Sequence, residues 1–269
     1  MVLSHLVHDR AGSGEPVVLI HGIGHRRAAW APIFDRLAAK YDVIAVDLAG
    51  FGESAPYRKD QPYDMDNACR DLAANFEEWG VHRPHVVGNS LGGAIALELA
   101  ARDLVSSATA LSPAGFFGRL SRFRALVPLC LMWAGSHAPD AVLRAVSASS
   151  AGRRVIGFPL YVHPERATAE ATYGDCLAMK RGSAFLPTLQ AGVTYVFDSR
   201  VDVPTTVAWG TADRLLPYAQ SRTAKLRLPG ARHVPLAGCG HVPMIDDPDT
   251  IIDLVDETIG RESGATDVA

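Results

Sequence analysis

Residues His85-Val86-Val87-Gly88-Asn89-Ser90-Leu91-Gly92-Gly93 carry the most informative local pattern in this 269-residue chain. The run His85–Val87 lacks polar alternation, as a strand covered on both faces does. From Leu91 to about Arg102 the residues read as a helix. Between the two sits a G-x-S-x-G, Gly88 to Gly92. A serine on so sharp a strand-to-helix turn takes a strained backbone conformation, with its Oγ projecting clear of the sheet. The positions two before and two after it crowd that turn, so only minimal side chains fit, and Gly93 extends the tolerance. The pentapeptide alone also fits a tight βα turn with a solvated serine. The strand before it and the helix after it favour a nucleophile.

Outward from this turn, strand-length apolar runs alternate with helix-period segments. Val17–Ile20, Val43–Val46, Ala108–Leu111 and Thr205–Trp209 resemble His85–Val87 in lacking alternation. Trp30, Ile33, Phe34, Leu37 and Ala38 mark one buried helix face, and Ala68, Leu72, Phe76 and Trp79 a second that Gly80 stops. Ile251, Leu254, Val255 and Thr258 mark a last helix, with Pro248 in its first turn. Such alternation predicts an α/β protein with a parallel sheet. The rhythm breaks from about Ala114 to Arg200, where the pieces Gly118–Leu129, Pro139–Ser147 and Pro164–Met179 read as helical. An unstructured loop of that length is improbable, so the expectation is a helical insertion over one end of the sheet. The core is then 1–113 with 201–269, and the insertion is 114–200.

A serine is a weak nucleophile at neutral pH and needs a base held by a third group. Of ten histidines, His233 falls inside the apparent strand His233–Leu236 and reads as structural, while His5, His8, His82 and His137 lie in polar contexts. His241 follows Gly238-Cys239-Gly240 just after that strand, where a ring reaches the sheet's carboxyl edge. Asp213 lies in the turn that leaves Thr205–Trp209, whereas Asp202 precedes that strand, at the wrong end of a parallel sheet. An Asp there also suits an ordinary turn. The chain order Ser90, Asp213, His241 is the one that this kind of nucleophile turn uses.

With these pieces in order, the chain resembles the α/β-hydrolase superfamily over nearly its whole length. The resemblance rests on His21-Gly22-Ile23-Gly24, Asp47-Leu48-Ala49-Gly50-Phe51-Gly52-Glu53-Ser54, Gly88–Gly93, the Asp213 turn and Gly240-His241. It implies an eight-stranded, mostly parallel sheet flanked by helices, with a helical cap inserted between strands six and seven. It also implies an oxyanion hole formed by the backbone N–H groups of Ile23 and Leu91. Main-chain donors suit that task because they are fixed before charge develops. His21 is expected to hold its loop, and the Asp47–Ser54 run to be a glycine-rich turn without chemistry.

Composition narrows the partners. Lys and Arg total 26 against 29 Asp and Glu, a formal charge of −3 that argues against a nucleic-acid binder. The longest apolar run, Ala125 to Ala134, is half a membrane span and contains Pro128. Charged residues before Pro16 do not fit a secretory signal, and four scattered cysteines fit reduced, mostly buried thiols. A cytoplasmic protein with a small-molecule substrate is expected. Ser90, His241 and Asp213 together predict cleavage of an ester or similar acyl bond through an acyl-enzyme, a route that requires no metal or organic cofactor. The apolar insertion, with Met132, Trp133 and Phe158, predicts a roof over a small or medium, mainly apolar substrate. Arg119, Arg122 and Arg124 read more readily as a solvated helix face than as a site for an acid. Carbon–carbon hydrolysis of dienoic ring-cleavage products, thioester hydrolysis and cofactor-free perhydrolysis use the same residues. A slow-turnover ligand receptor on this fold is the alternative outside enzymes. The substrate and the oligomeric state are not legible in the sequence.

Overall fold

The computed structural model describes residues 2–118 and 121–266. Its sheet has seven strands: β1 (His8–Ala11), β2 (Pro16–Ile20), β3 (Asp42–Val46), β4 (His85–Asn89), β5 (Ser107–Leu111), β6 (Thr205–Gly210) and β7 (Arg232–Leu236). They lie in the order β1-β3-β2-β4-β5-β6-β7, with β1 antiparallel to β3 and every other pairing parallel. The α/β, mostly parallel architecture is as the sequence predicts.

The strand count is corrected from eight to seven. Gly12 and Gly14, both at positive φ, turn β1 directly into β2. The residues before β1 are held by side chains in place of a ladder. Asp71 Oδ1 accepts the N–H groups of Leu3 (2.8 Å) and Ser4 (2.9 Å), and Asn75 Oδ1 accepts that of Leu6 (3.0 Å). Once those donors are satisfied, the segment needs no strand partner.

The central strands β2 and β3 feed two apolar layers. Val18, Ile20, Ile44 and Val46 pack on one side, with residues of α2 (Met65–Glu78) and α3 (Leu91–Ala101). Val17, Leu19, Val43 and Ala45 pack on the other, with α1 (Ala31–Ala38) and the late helix Pro248–Thr266. Both faces are dry, which is why these strands read as unbroken apolar runs. Helix α2 ends as its sequence predicts. Gly80 takes φ +69° while its N–H and that of Val81 reach back to Glu77 O and Phe76 O.

Between β5 and β6 the chain forms α4 (Ser121–Ser136), α5 (Asp140–Ala148), α6 (Ser150–Gly157), α7 (Ala169–Arg181) and α8 (Phe185–Thr194). The sequence periodicity resolved neither α6 nor α8. Both are short, and α6 is hydrophilic enough to hide its single buried residue, Gly157. Helix α9 (Gln220–Arg227), between β6 and β7, was also not legible, because it buries only Gln220 and Ala224. Met179, Ala184 and Phe185 of the inserted segment join the apolar layer on the α2–α3 side. No helix among the described residues is long and apolar enough to cross a membrane. All four cysteines are free. Cys69 and Cys239 are buried and Cys176 is half-buried, but Cys130 is exposed on α4.

Candidate active site

Topology places the site before chemistry does. The chain lays β3 on one side of β2 and then crosses to lay β4 on the other, so the sheet's switch point lies between β2 and β4. Ligands of open α/β sheets bind outside the carboxyl ends of strands at such a point. The loop His21–Gly24 leaves β2 there, and Ser90 leaves β4.

Ser90 has φ +56° and ψ −113°, a conformation that L-residues rarely adopt. Its surroundings enforce it. A Cβ on Gly88 would lie 2.0 Å from Gly92 O, and one on Gly92 would lie 2.0 Å from Ile20 O. Ser90 N–H donates to Leu111 O at 2.9 Å, while Ser90 O accepts from the N–H groups of Ala94 and Ala114. A Cβ on Gly22 would fall 3.2 Å from Ser90 Cβ, so the β2 loop lies against the serine. Neither Ile23 nor Leu91 spends its N–H on another backbone acceptor among the described residues. Both residues line one narrow cavity with Ser90.

On the far side, His241 donates its Nδ1–H to Asp213 Oδ2 at 2.8 Å, and both side chains are buried. A carboxylate oxygen accepts here, which assigns a proton to Nδ1; in the neutral ring that tautomer has its lone pair on Nε2. Asp213 Oδ1 accepts the N–H groups of Leu215 (2.9 Å) and Leu216 (2.7 Å), and the Trp209 indole N–H closes the turn on Leu216 O at 2.8 Å. The carboxylate therefore has one orientation. Asn89 ties this pair to the serine turn, donating its side-chain amide to His241 O (2.9 Å) and Leu111 O (3.1 Å). Ser90 Oγ forms no hydrogen bond with the imidazole ring. The serine and histidine meet through the Asn89 bridge.

The other candidates settle into structural places. His21 Nδ1–H donates to Gly22 O (2.7 Å) while Nε2 accepts from Leu48 N–H (3.0 Å), and burial drives its pKa down to about 4. It is a neutral ring that pins its loop. Asp47 sits inside its glycine-rich turn, accepting from Arg27 N–H (2.6 Å), Glu53 N–H (2.9 Å) and the Arg27 guanidinium. His233 bonds Leu228 O at 2.8 Å, and Asp202 is exposed and paired with Arg200.

The expected roof is only partly where it was placed. Phe158 is 60% exposed and stacks under Arg214, and Trp133 packs parallel to Phe185; neither lines the Ser90 cavity. That cavity draws on Ala125, Leu126 and Leu129 of α4 and on Thr188, Leu189 and Gly192 of α8. Arg119 and the side chain of Arg122 lie outside the described residues, and Arg124 is exposed.

Sequence reasoning missed Asp246. Its Oδ2 accepts Gly240 N–H at 2.7 Å, and its carboxylate also takes the N–H groups of Val162 (3.1 Å) and His163 (2.8 Å). Leu160 O in turn accepts the N–H groups of His241 (2.8 Å) and Val242 (3.1 Å). The His241 loop is thus clamped to the inserted segment by one buried acid. An acid two places before Pro248 gave no sequence signal for that.

This strand-turn-helix serine at the switch point, with an Asp-His pair opposite, has a matching family. The sequence profile described as alpha/beta hydrolase fold matches residues 15–248. The chain belongs to the alpha/beta hydrolase family. Among its relatives is a pimeloyl-[acyl-carrier protein] methyl ester esterase of Aeromonas hydrophila subsp. hydrophila, 29% identical over 267 residues, covering 94% of this chain and 98% of that one. A 2-hydroxy-6-oxo-6-(2'-aminophenyl)hexa-2,4-dienoic acid hydrolase of Metapseudomonas resinovorans is 27% identical, covering 96% and 89%. In fold, the chain is similar to the meta-cleavage product hydrolase CumD of Pseudomonas fluorescens IP01, with TM-score 0.75, 20% identity and 97% of both chains covered. Hydrolases of this family thus share its length as well as its fold.

Proposed function

We propose that this chain is a serine hydrolase that cleaves a carboxylic ester or similar acyl bond. The observation that carries the reading is the buried His241–Asp213 hydrogen bond opposite a serine held at positive φ. His241 Nε2 takes the Ser90 proton as Oγ attacks the carbonyl carbon, and returns it to the departing alcohol. Water then attacks the acyl-enzyme with the same base, releasing the acid. Asp213 fixes the tautomer and steadies the imidazolium. The N–H groups of Ile23 and Leu91 receive the developing oxyanion, a task for which donors without another acceptor are suited. Residues 114–200 act as a cap on a core of residues 1–113 and 201–269. The relatives' names support hydrolysis, one of them of an ester.

The test is a fluorophosphonate probe followed by mass spectrometry, together with turnover of p-nitrophenyl acetate. Label on Ser90 and ester turnover are expected. Absence of both in the intact chain would overturn the reading. Turnover of a ring-cleavage dienoate or an acyl thioester, at rates well above any ester, would move the substrate within the same mechanism.

A further inference from the structure

Two cavities meet beside Ser90. The inner one, of about 70 Å³, contains Ser90, Ile23 and Leu91; the outer one, of about 360 Å³, runs between α2, α3 and α8. Met65, Leu91, Thr188, Gly192 and Tyr195 line both and form the seam between them. Small-molecule sites occupy roughly 300–1,000 Å³. The inner space falls well short of that range and the outer space lies within it. A substrate longer than a short acyl group outgrows the inner space, and the outer cavity across the seam is large enough to take the excess.

Two residues of the seam mark it as a passage. Thr188 is 8% exposed, yet its hydroxyl has no hydrogen-bond partner among the described residues. A buried hydroxyl is seldom left unpaired, and one at the junction of two cavities points to a partner atom on a ligand. A Cβ on Gly192 would meet nothing within 4 Å, so the seam is open at that point. Beyond the seam the charges are Asp64, Asp66, Glu98 and Arg102. Arg102 is held by both Glu98 and Asp66, and Glu98 also accepts the Tyr195 hydroxyl at 2.9 Å. Its one cation is thus engaged, and the surplus is acidic, so the cavity does not favour an anionic end.

We propose that the outer cavity is the subsite for the long arm of the substrate: an uncharged chain that crosses the seam and presents a hydrogen-bonding oxygen to Thr188. This rests on the serine-hydrolase reading and adds the class of substrate to it. Both sides of the reacting bond can supply such an arm, and the experiment separates them.

The measurement is kcat/KM for p-nitrophenyl acetate, octanoate, the half-ester of suberic acid and an ether-containing chain of octanoate length. Acetates of ethanol and octanol form a second series, in which the alcohol is the long arm. Wild-type protein is expected to prefer the long arm by about tenfold or more in one series, and to lose that preference for the anionic suberate. Gly192→Phe fills the seam and lowers the long-to-short ratio by about tenfold. Thr188→Val, which removes only the hydroxyl, lowers the preference for the ether chain over octanoate. An unchanged ratio in Gly192→Phe for both series would overturn the subsite, and suberate equal to octanoate would overturn its neutral character. Calorimetric titration with octanamide needs no turnover: weaker binding in Gly192→Phe supports the subsite and an equal Kd overturns it. Failure of Ser90 to take the fluorophosphonate would overturn the hydrolase reading separately, and the titration would still judge the cavity.

Discussion

At the scale of single residues, Ser90 combines an unfavourable backbone with a buried side chain that the β2 loop lies against. Its φ of +56° is imposed by neighbours that admit no Cβ at Gly88 or Gly92. Alanine in its place inherits the same strain and loses only the hydroxyl. Ser90→Ala is therefore expected to lower ester turnover by about 10³-fold or more with a nearly unchanged melting temperature. More than a tenth of the activity remaining would exclude Ser90 as nucleophile. His21 makes a different prediction. Its folded pKa of about 4 lies below the unfolded value of 6.5, so between those values the unfolded chain binds more protons. The ring's contribution is full above pH 6.5 and is lost as pH falls toward 4, a change of about 3 kcal/mol. Urea midpoints from pH 7 to 4 should show that decline, and His21→Gln should show a shallower one.

At the scale of elements, the turn from β4 into α3 and the loop carrying His241 are set by close approach. In Gly92→Ala the new Cβ would press on Ile20 O, which belongs to a central strand and cannot yield. The expected loss exceeds about 3 kcal/mol, read as a melting shift or as insoluble expression. Asp246 acts through the loop it holds. Asp246→Asn turns an amide N–H toward backbone donors that now meet a carboxylate, loosening Gly240 and the neighbouring His241. Stability is expected to fall by about 2–3 kcal/mol. A base displaced by an ångström costs about 10²-fold in rate, so kcat should fall more than KM rises. A proportional loss of folded protein with normal kcat per active site would assign Asp246 a purely structural part.

For the whole molecule, the inserted segment and the sheet share one apolar layer. Phe185 is fully buried in it beside Met179 and Ala184, and Trp133 stacks on its outer face at 6.2 Å. Phe185→Ala should cost about 3–5 kcal/mol. Tryptophan fluorescence and far-ultraviolet dichroism should still report one coincident transition, because segment and sheet lose the same contacts together. Two separated transitions would show that residues 114–200 melt on their own.

The sequence by itself determined the parallel α/β layout, because strands dry on both faces cannot alternate and therefore read as apolar runs. It also marked the serine turn, since only glycine fits at Gly88 and Gly92, and it ordered Ser90, Asp213 and His241 along the chain. Only the tertiary structure decided the rest. The sheet has seven strands, with none before β1, because Asp71 and Asn75, distant in sequence, satisfy the N-terminal donors in place of a ladder. The Asn89 bridge to His241 spans 152 positions and the Asp246 clamp spans more than 80. Hydrogen bonds over such separations leave no period in the sequence. Which bulky residues face the cavity was likewise undecidable, as Phe158 and Trp133 show. Their chemistry suits a roof, but the fold of the inserted segment turns one to solvent and the other onto Phe185.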